Sequence, residues 1–319
     1  MTDNQQDKLI LKPGGLQKLV GRAMTNGVIV LLRLMNALPF NAQIRIGKFF
    51  GLVLYRLAKT RRHIAHVNIS LCFPTLSQDQ QRSLVKKSFV NYGIGLTEAA
   101  MAWWSNPRSF DAKVTLEGRE YLDQALSGGK GVILLGAHYS TLDLGGLLFS
   151  RFYPLSCMYR PNKNEFLEHS IRSGRLRYLE SLIGKSDFRS VLKKLRQNKI
   201  VWYAPDQDFG PNNAVFAPFF GVEAATTTAT ARLARLSGAP VVLISHHRTE
   251  AGNYRVRLHP ALPNFPDPDD AVSAAAVNKA LETGISYDAA QYMWVHRRFK
   301  TRRTGSPGAL YIKNNSENG

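Results

Sequence analysis

"GVILLGAHYSTLDLGG", residues 131–146, runs an apolar stretch directly into a histidine and an aspartate, His138 and Asp143, and closes on paired glycines. A short apolar run bounded by glycine reads as a strand covered on both faces. Residues 136–146 then suit a turn leading into a helix. The same grammar recurs downstream, with short apolar runs at 156–160 ("SCMYR"), 200–206 ("IVWYAPD") and 240–248 ("PVVLISHHR"), and an alternating run at 254–260 ("YRVRLHP"). Helical patterns are expected between them over 164–183, 187–198 and 224–238, and before them over 75–104, where Thr75 or Ser77 can cap the start. Strands alternating with helices predict an α/β fold with a largely parallel central sheet flanked by helices. In such sheets ligands sit beyond the carboxyl ends of the strands. "GAHYSTLD", "YRPNKN" and "APDQDFGP" all fall there.

His138 is the first chemical candidate. A neutral imidazole takes a proton from a hydroxyl as that hydroxyl attacks a carbonyl, and works better when a carboxylate holds its other nitrogen. Asp143 is the nearest carboxylate. Positions i and i+5 of a regular helix lie about 140° apart, so the two meet only if His138 precedes the helix and Asp143 sits in its first turn. A helix dipole favours a carboxylate there. Ser140 as a nucleophile lacks the G-x-S-x-G turn that would present it. "IGKS" (183–186) lacks the first glycine of a phosphate loop, and His246 and His247 are strand neighbours that point to opposite faces, against a shared metal.

Arg160, in "YRPNKN", offers a fork of donors to a phosphate or an oxyanion, and Arg177 joins it as a candidate for the same work. Asp206 and Asp208, in "APDQDFGP", either orient arginines or a polar substrate head, or shape a turn. The stretch "VHRRFKTRR" (295–303) concentrates cations that could meet anionic head groups or an acidic carrier, or form a solvated basic face.

Composition sets the outer limits. The 319 residues carry 42 basic and 23 acidic side chains, a net charge of +19, which points to polyanionic partners such as phosphorylated lipid, an anionic membrane surface, an acidic carrier protein or nucleic acid. Cys72 and Cys157 form no motif and suit free thiols in a reducing compartment. No signal peptide is evident in the polar first 22 residues. The apolar stretch 28–40 is broken by Arg33 and Asn36, and 44–63 sets aromatic and aliphatic residues beside Arg45, Lys48, Arg56, Lys59, Arg61 and Arg62. These features favour helices lying in a membrane interface. The expected organisation is a membrane-associated helical region at 1–63, an α/β catalytic domain at 64–303 and a polar, disordered tail at 304–319.

The strand-end blocks also carry a resemblance. Their order resembles that of glycerolipid acyltransferases. More narrowly, "NISLCFP" (68–74), "MAWW" (101–104), "YRPNKN", "VWYAPDQDFGP" (201–211), "ATTT" (225–228) and "QYMWVHRRFKTR" (291–302) are similar to the lipid A late acyltransferases, in particular the lauroyltransferase branch. The resemblance implies transfer of a fatty acyl chain, lauroyl or similar, from acyl carrier protein to a 3-hydroxyacyl hydroxyl of Kdo2-lipid IVA, at the cytoplasmic face of a Gram-negative inner membrane. It makes His138 and Asp143 the catalytic pair, with Asp143 standing where many lauroyltransferases have Glu. No cofactor or metal is expected, because the thioester already supplies an activated acyl group. No nucleic-acid partner is expected either: a basic binding protein without catalysis leaves the strand-end blocks unexplained. The alternative within the same chemistry is a membrane acyltransferase acting on an aminolipid or a lysophospholipid.

Overall fold

A computed structural model describes residues 15–304, 306 and 308–312. The polar opening segment and the far end of the expected disordered tail lie outside the described residues.

The run Val132–Leu135 forms β2, buried at every position. It is apolar throughout because it lies inside the sheet, parallel to β8 (Val241–Arg248) on one side and to β5 (Ile200–Tyr203) on the other. Beyond β5 come β3 (Leu155–Tyr159) and the edge strand β4 (Ser181–Gly184), both parallel. Beyond β8 lies β9 (Tyr254–Ala261), antiparallel to it, with β1 (Val114–Glu117) at the far edge. The sheet order is therefore β1-β9-β8-β2-β5-β3-β4, largely parallel as expected. The alternating sequence of β9 matches a strand whose residues are buried and exposed in turn over its first half.

Helices cover both faces. On one, α3 (Lys59–Cys72), α8 (Phe188–Arg196), α9 (Ala229–Ser237) and α10 (Asp270–Ser286) bury Ile64, Val191, Leu195, Leu233 and Leu281. On the other, α5 (Arg119–Ser127), α6 (Leu142–Ser150) and the end of α4 (Gln78–Trp104) bury Leu122, Leu144, Leu148 and Met101. Ser77 caps α4 in a capping box with Gln80. The N-terminal α1 (Gly15–Met35) and α2 (Phe40–Leu57) pack on α4. α2 crosses α4 so closely that a Cβ on Gly93 would lie 2.2 Å from the Gly47 carbonyl oxygen. Among the described residues no helix is long and apolar enough to cross a membrane.

Two helical expectations need correction. Residues 164–183 divide into α7 (Glu165–Arg175), a turn and β4, because Leu179 and Leu182 mimic helical spacing while serving a turn and a strand. Residues 224–238 divide into β7 (Val222–Thr227), paired antiparallel with β6 (Ala214–Phe219), and then α9. The β-branched threonines of "ATTT" favour the strand. Within the described part of the tail, the buried Tyr311 accepts from the Phe299 amide (3.0 Å) and donates to Asn68 Oδ1 (2.7 Å).

Candidate active site

His138 lies in the turn after β2, and Asp143 occupies the first turn of α6, as the i, i+5 argument requires. Their side chains nevertheless take different partners. His138 Nδ1 lies 2.6 Å from Asp206 Oδ1, and the His138 backbone amide donates to Asp206 Oδ2 at 2.9 Å. Asp206 stands just past β5, the sheet neighbour of β2, so strand adjacency brings together two residues 68 positions apart. The expectation that Asp143 steadies the imidazole is thus corrected: Asp206 takes that place.

An ionised carboxylate only accepts, so the proton sits on Nδ1 and the Nε2 lone pair faces away from Asp206. The His138 side chain keeps 24% exposure, Asp206 only 1%. Burial works against both charged forms, yet each stabilises the other's charge. The Asp206 carboxyl is held down at about 2, and the His138 pKa is raised above its ordinary value despite an opposing push from Arg175.

Asp143 anchors an arginine. Its carboxylate accepts from Arg175 Nε (2.7 Å) and Nη2 (3.1 Å), from Trp103 Nε1 (2.9 Å) and from Tyr178 Oη (3.2 Å). Burial disfavours the ionised form, but Arg175 outweighs it and holds the Asp143 pKa below its usual value. Arg175 ends α7 and is inconspicuous in sequence among its arginine neighbours. Arg177, the one expected at the site, points elsewhere: it donates to the carbonyls of Trp103 and Ser105 and so caps the carboxyl end of α4. That end of the helix has orphan acceptors, which explains why an arginine belongs there.

His138, Asp143, Arg160 and Arg175 meet at one cavity of about 300 Å³. Its walls are apolar, from Leu142, Phe149, Leu155, Met158, Leu179 and Ile244. Arg160 follows β3 and stays exposed beside it. The Cys157 thiol also lines the cavity, but burial pushes its pKa up to about 12, which leaves almost no thiolate to act as a nucleophile at neutral pH. Ser140 Oγ is buried and has no hydrogen-bond partner among the described residues. Asp208 shapes a turn, accepting from Gly210 N (2.8 Å), Thr301 N (2.6 Å) and Thr301 Oγ1 (2.9 Å). His246 goes to the α6 face, against Thr141 Oγ1 at 2.8 Å, and His247 towards Tyr287.

The cation-rich segment after residue 295 is largely structural. Arg298 is 3% exposed and donates to the Ala225 carbonyl (2.6 Å) and Thr226 Oγ1 (2.9 Å), while Arg303 pairs with Glu223. Just upstream, Ser140 N donates to the Gln291 carbonyl (2.7 Å) and Met293 N to the His138 carbonyl (2.9 Å), a bridge that clamps the histidine turn from both sides. His296 is a second imidazole, hidden in sequence among the cations around it. Its ring centroid lies 5.9 Å from that of His138, and its Nε2 lies 3.1 Å from Gln207 Nε2. Burial, reinforced by His138, lowers its pKa and keeps it neutral.

A histidine–aspartate pair at the carboxyl ends of a largely parallel sheet, opening on an apolar cavity with an arginine fixed beside it, is an arrangement able to set a base next to an apolar chain. The sequence narrows it. The family of bacterial lipid A biosynthesis acyltransferases matches residues 18–301, and the chain belongs to that family. It is 38% identical over 281 residues to the lipid A biosynthesis lauroyltransferase of Escherichia coli (strain K12), covering 88% of this chain and 92% of that one. It is 36% identical over 281 residues to the lipid A biosynthesis palmitoleoyltransferase of the same organism, covering 86% and 90%. To the lipid A biosynthesis myristoyltransferase of that organism it is 26% identical over 264 residues, covering 82% and 80%. The chain is an O-acyltransferase of lipid A biosynthesis.

Proposed function

We propose that the chain transfers a lauroyl or similar acyl group from acyl carrier protein to a hydroxyl of a 3-hydroxyacyl chain on Kdo2-lipid IVA, at the cytoplasmic face of a Gram-negative inner membrane. The observation that carries this reading is the His138–Asp206 pair opening, beside Arg175, onto an apolar cavity in a chain of this family. His138 Nε2 takes the proton of the acceptor hydroxyl as its oxygen bonds to the thioester carbonyl carbon. Asp206 steadies the imidazolium, and Arg175, its Nε and Nη2 held by Asp143, directs positive charge at the oxyanion that develops. Collapse breaks the carbon–sulfur bond, and the departing thiolate takes the proton back from Nε2. No covalent enzyme intermediate is needed, in keeping with the inert Cys157 thiol and the unengaged Ser140.

The assay offers tetra-acylated Kdo2-lipid IVA and a set of acyl carrier thioesters to membranes containing the protein, and reads the lipid product by mass. One added acyl ester is the expected product, and His138→Ala loses it by roughly 10²–10⁴ in rate. Near-normal transfer by His138→Ala would remove the general base from the scheme. Addition to an aminolipid or a lysophospholipid in place of Kdo2-lipid IVA would move the chain to the alternative acceptor.

Membrane association rests on the N-terminal helices. Met24, Val28, Leu31 and Leu34 form an exposed apolar stripe on α1, with Leu38 just beyond it, and Phe49, Leu54 and Leu57 extend the exposed apolar surface onto α2 beside exposed Arg45, Lys48 and Arg56. Apolar bulk flanked by cations suits a helix lying in an anionic interface. Leu31→Glu with Leu34→Glu is therefore expected to reduce co-sedimentation with anionic phospholipid vesicles, and unchanged sedimentation would place the membrane contact elsewhere.

A further inference from the structure

The groove between α8 and α9 has no part in the acyl-transfer chemistry of the His138 cavity. It is a depression of about 950 Å³, floored by Phe188, Leu192, Leu233 and Leu236. Leu236 is 55% exposed. Arg189, Lys193 and Arg196 stand along one wall and Arg232 on the other.

Their spacing is ordered. Positions 189, 193 and 196 follow an i, i+4, i+7 pattern, which sets three cations on one face of α8 across about 10 Å of helix. Val191 and Leu195 hold the opposite face in the core. Neighbouring cations that point away from the groove are neutralised within the chain: Lys194 by Glu180 and Arg235 by Asp270. Among the described residues, Arg189, Lys193, Arg196 and Arg232 form no such ion pair. Asp187 caps α8 through the Ser190 amide, and hydrogen bonding from Ser190, with a smaller contribution from Arg189, lowers its carboxyl pKa. The uncompensated charge is thus concentrated where an apolar trough could seat a ligand.

We propose that this groove docks an acidic amphipathic helix of the carrier protein that delivers the acyl thioester. An inserted helix would lay its apolar face on Phe188, Leu192 and Leu236 and match the cations with carboxylates at the same i, i+4, i+7 spacing. Place in the fold supports the assignment. α8 starts directly after β4, at the carboxyl end of the parallel strands where His138 and Arg160 stand, and runs back to the start of β5, the strand before Asp206. α8 and α9 cover the sheet face opposite α6, so a carrier seated here would pass its thioester arm over the carboxyl ends of the strands to reach the His138 cavity. A bilayer fits less well, because a flat head-group layer does not follow a concave wall, and the exposed apolar stripe suited to lipid is on α1 and α2.

This assignment rests on the carrier-borne donor of the proposed function, and the experiment separates the two. Transfer to Kdo2-lipid IVA is measured with lauroyl-acyl carrier protein and with lauroyl-coenzyme A, for the full chain and for the triple variant Arg189→Glu, Lys193→Glu, Arg232→Glu. A second triple variant, with glutamine at the same positions, removes charge without reversing it and guards against misfolding. The expected result is a KM for the carrier donor raised roughly tenfold or more, with kcat and the KM for the small thioester little changed, and a gap that narrows as salt is added. An unchanged KM for the carrier overturns the proposal, and so does an equal loss with both donors. Loss of binding to anionic vesicles or to RNA, with the carrier KM intact, reassigns the groove to lipid or nucleic acid and overturns it as well. Transfer by the unaltered chain from the small thioester alone refutes the donor itself.

Discussion

Asp206→Asn is expected to lower acyl transfer by roughly 10²–10⁴ and to move the acid limb of the pH profile to lower pH. The rate falls because asparagine can present its amide N–H to His138 Nδ1, which favours the tautomer that carries its proton on Nε2 and removes the base. The imidazolium formed during attack also loses its counter-charge. The sign of the pH shift is set by the influences that remain. Burial and Arg175 both lower the His138 pKa, and in the native chain Asp206 outweighs them and raises it. Activity of the native chain therefore drops as pH falls through that raised value, since protonated His138 accepts nothing. Without the carboxylate the imidazole stays neutral to lower pH, so the limb shifts down while the plateau sinks. Measuring kcat/KM against pH for both proteins decides the matter. A lower plateau with an unmoved limb would mean that Asp206 serves some part of the site other than His138.

The second large effect concerns stability. Glu98 is fully buried and pairs with the nearly buried Arg248, while Tyr254 donates to the same carboxylate oxygen at 2.6 Å. Asn91 engages the other arm of the guanidinium. Glu98→Leu leaves a guanidinium without its counter-charge inside the protein, at a cost of about 3–5 kcal/mol. Arg248→Met costs a similar amount by stranding the carboxylate. The double substitution removes both charges and is expected to recover most of the loss, because a well-packed apolar pair often matches a buried ion pair. Denaturant midpoints for the two single variants and the double variant test this. A double variant as unstable as the singles would show that the pair contributes net stability. The Gln291 side chain bonds only the backbone amide and carbonyl of residue 248, so Arg248→Met leaves in place the link by which the Gln291 carbonyl holds Ser140 N.

The frame of the site was legible because strands inside a parallel sheet are covered on both faces, so β2, β5 and β8 stand out as continuous apolar runs. His138 could be placed before α6 because the apolar run of β2 ends just ahead of it, whereas the helix-geometry argument assumed a pairing with Asp143 that the structure does not have. The partner of His138 could not be placed. The pairing with Asp206 depends on β5 lying beside β2, a sheet order that no local pattern encodes, and the nearer carboxylate drew the assignment. Arg175 and Arg177 differ by two positions across a helix end, and the turn after α7 sends one guanidinium to the cavity and the other to α4. Sequence spacing cannot choose between them when the helix end is not visible. β4 and β7 were missed because short strands joined directly to helices carry spacings that either structure can satisfy. In the C-terminal segment, burial was hidden by charge: Arg298 looks solvated until its acceptors, Ala225 and Thr226, are brought to it by the hairpin of β6 and β7.

The clamp on the histidine turn has a consequence for how the enzyme comes into being. The backbone that fixes His138 and Ser140 belongs to residues 291–293, and Thr301 secures the loop bearing Asp208. A chain still emerging from the ribosome has His138, Asp206 and the strands of its seven-stranded sheet before it has the segment that seats the histidine turn. Catalytic competence therefore waits on residues 291–301, and a nascent chain that stops short of them has no clamp on its histidine turn.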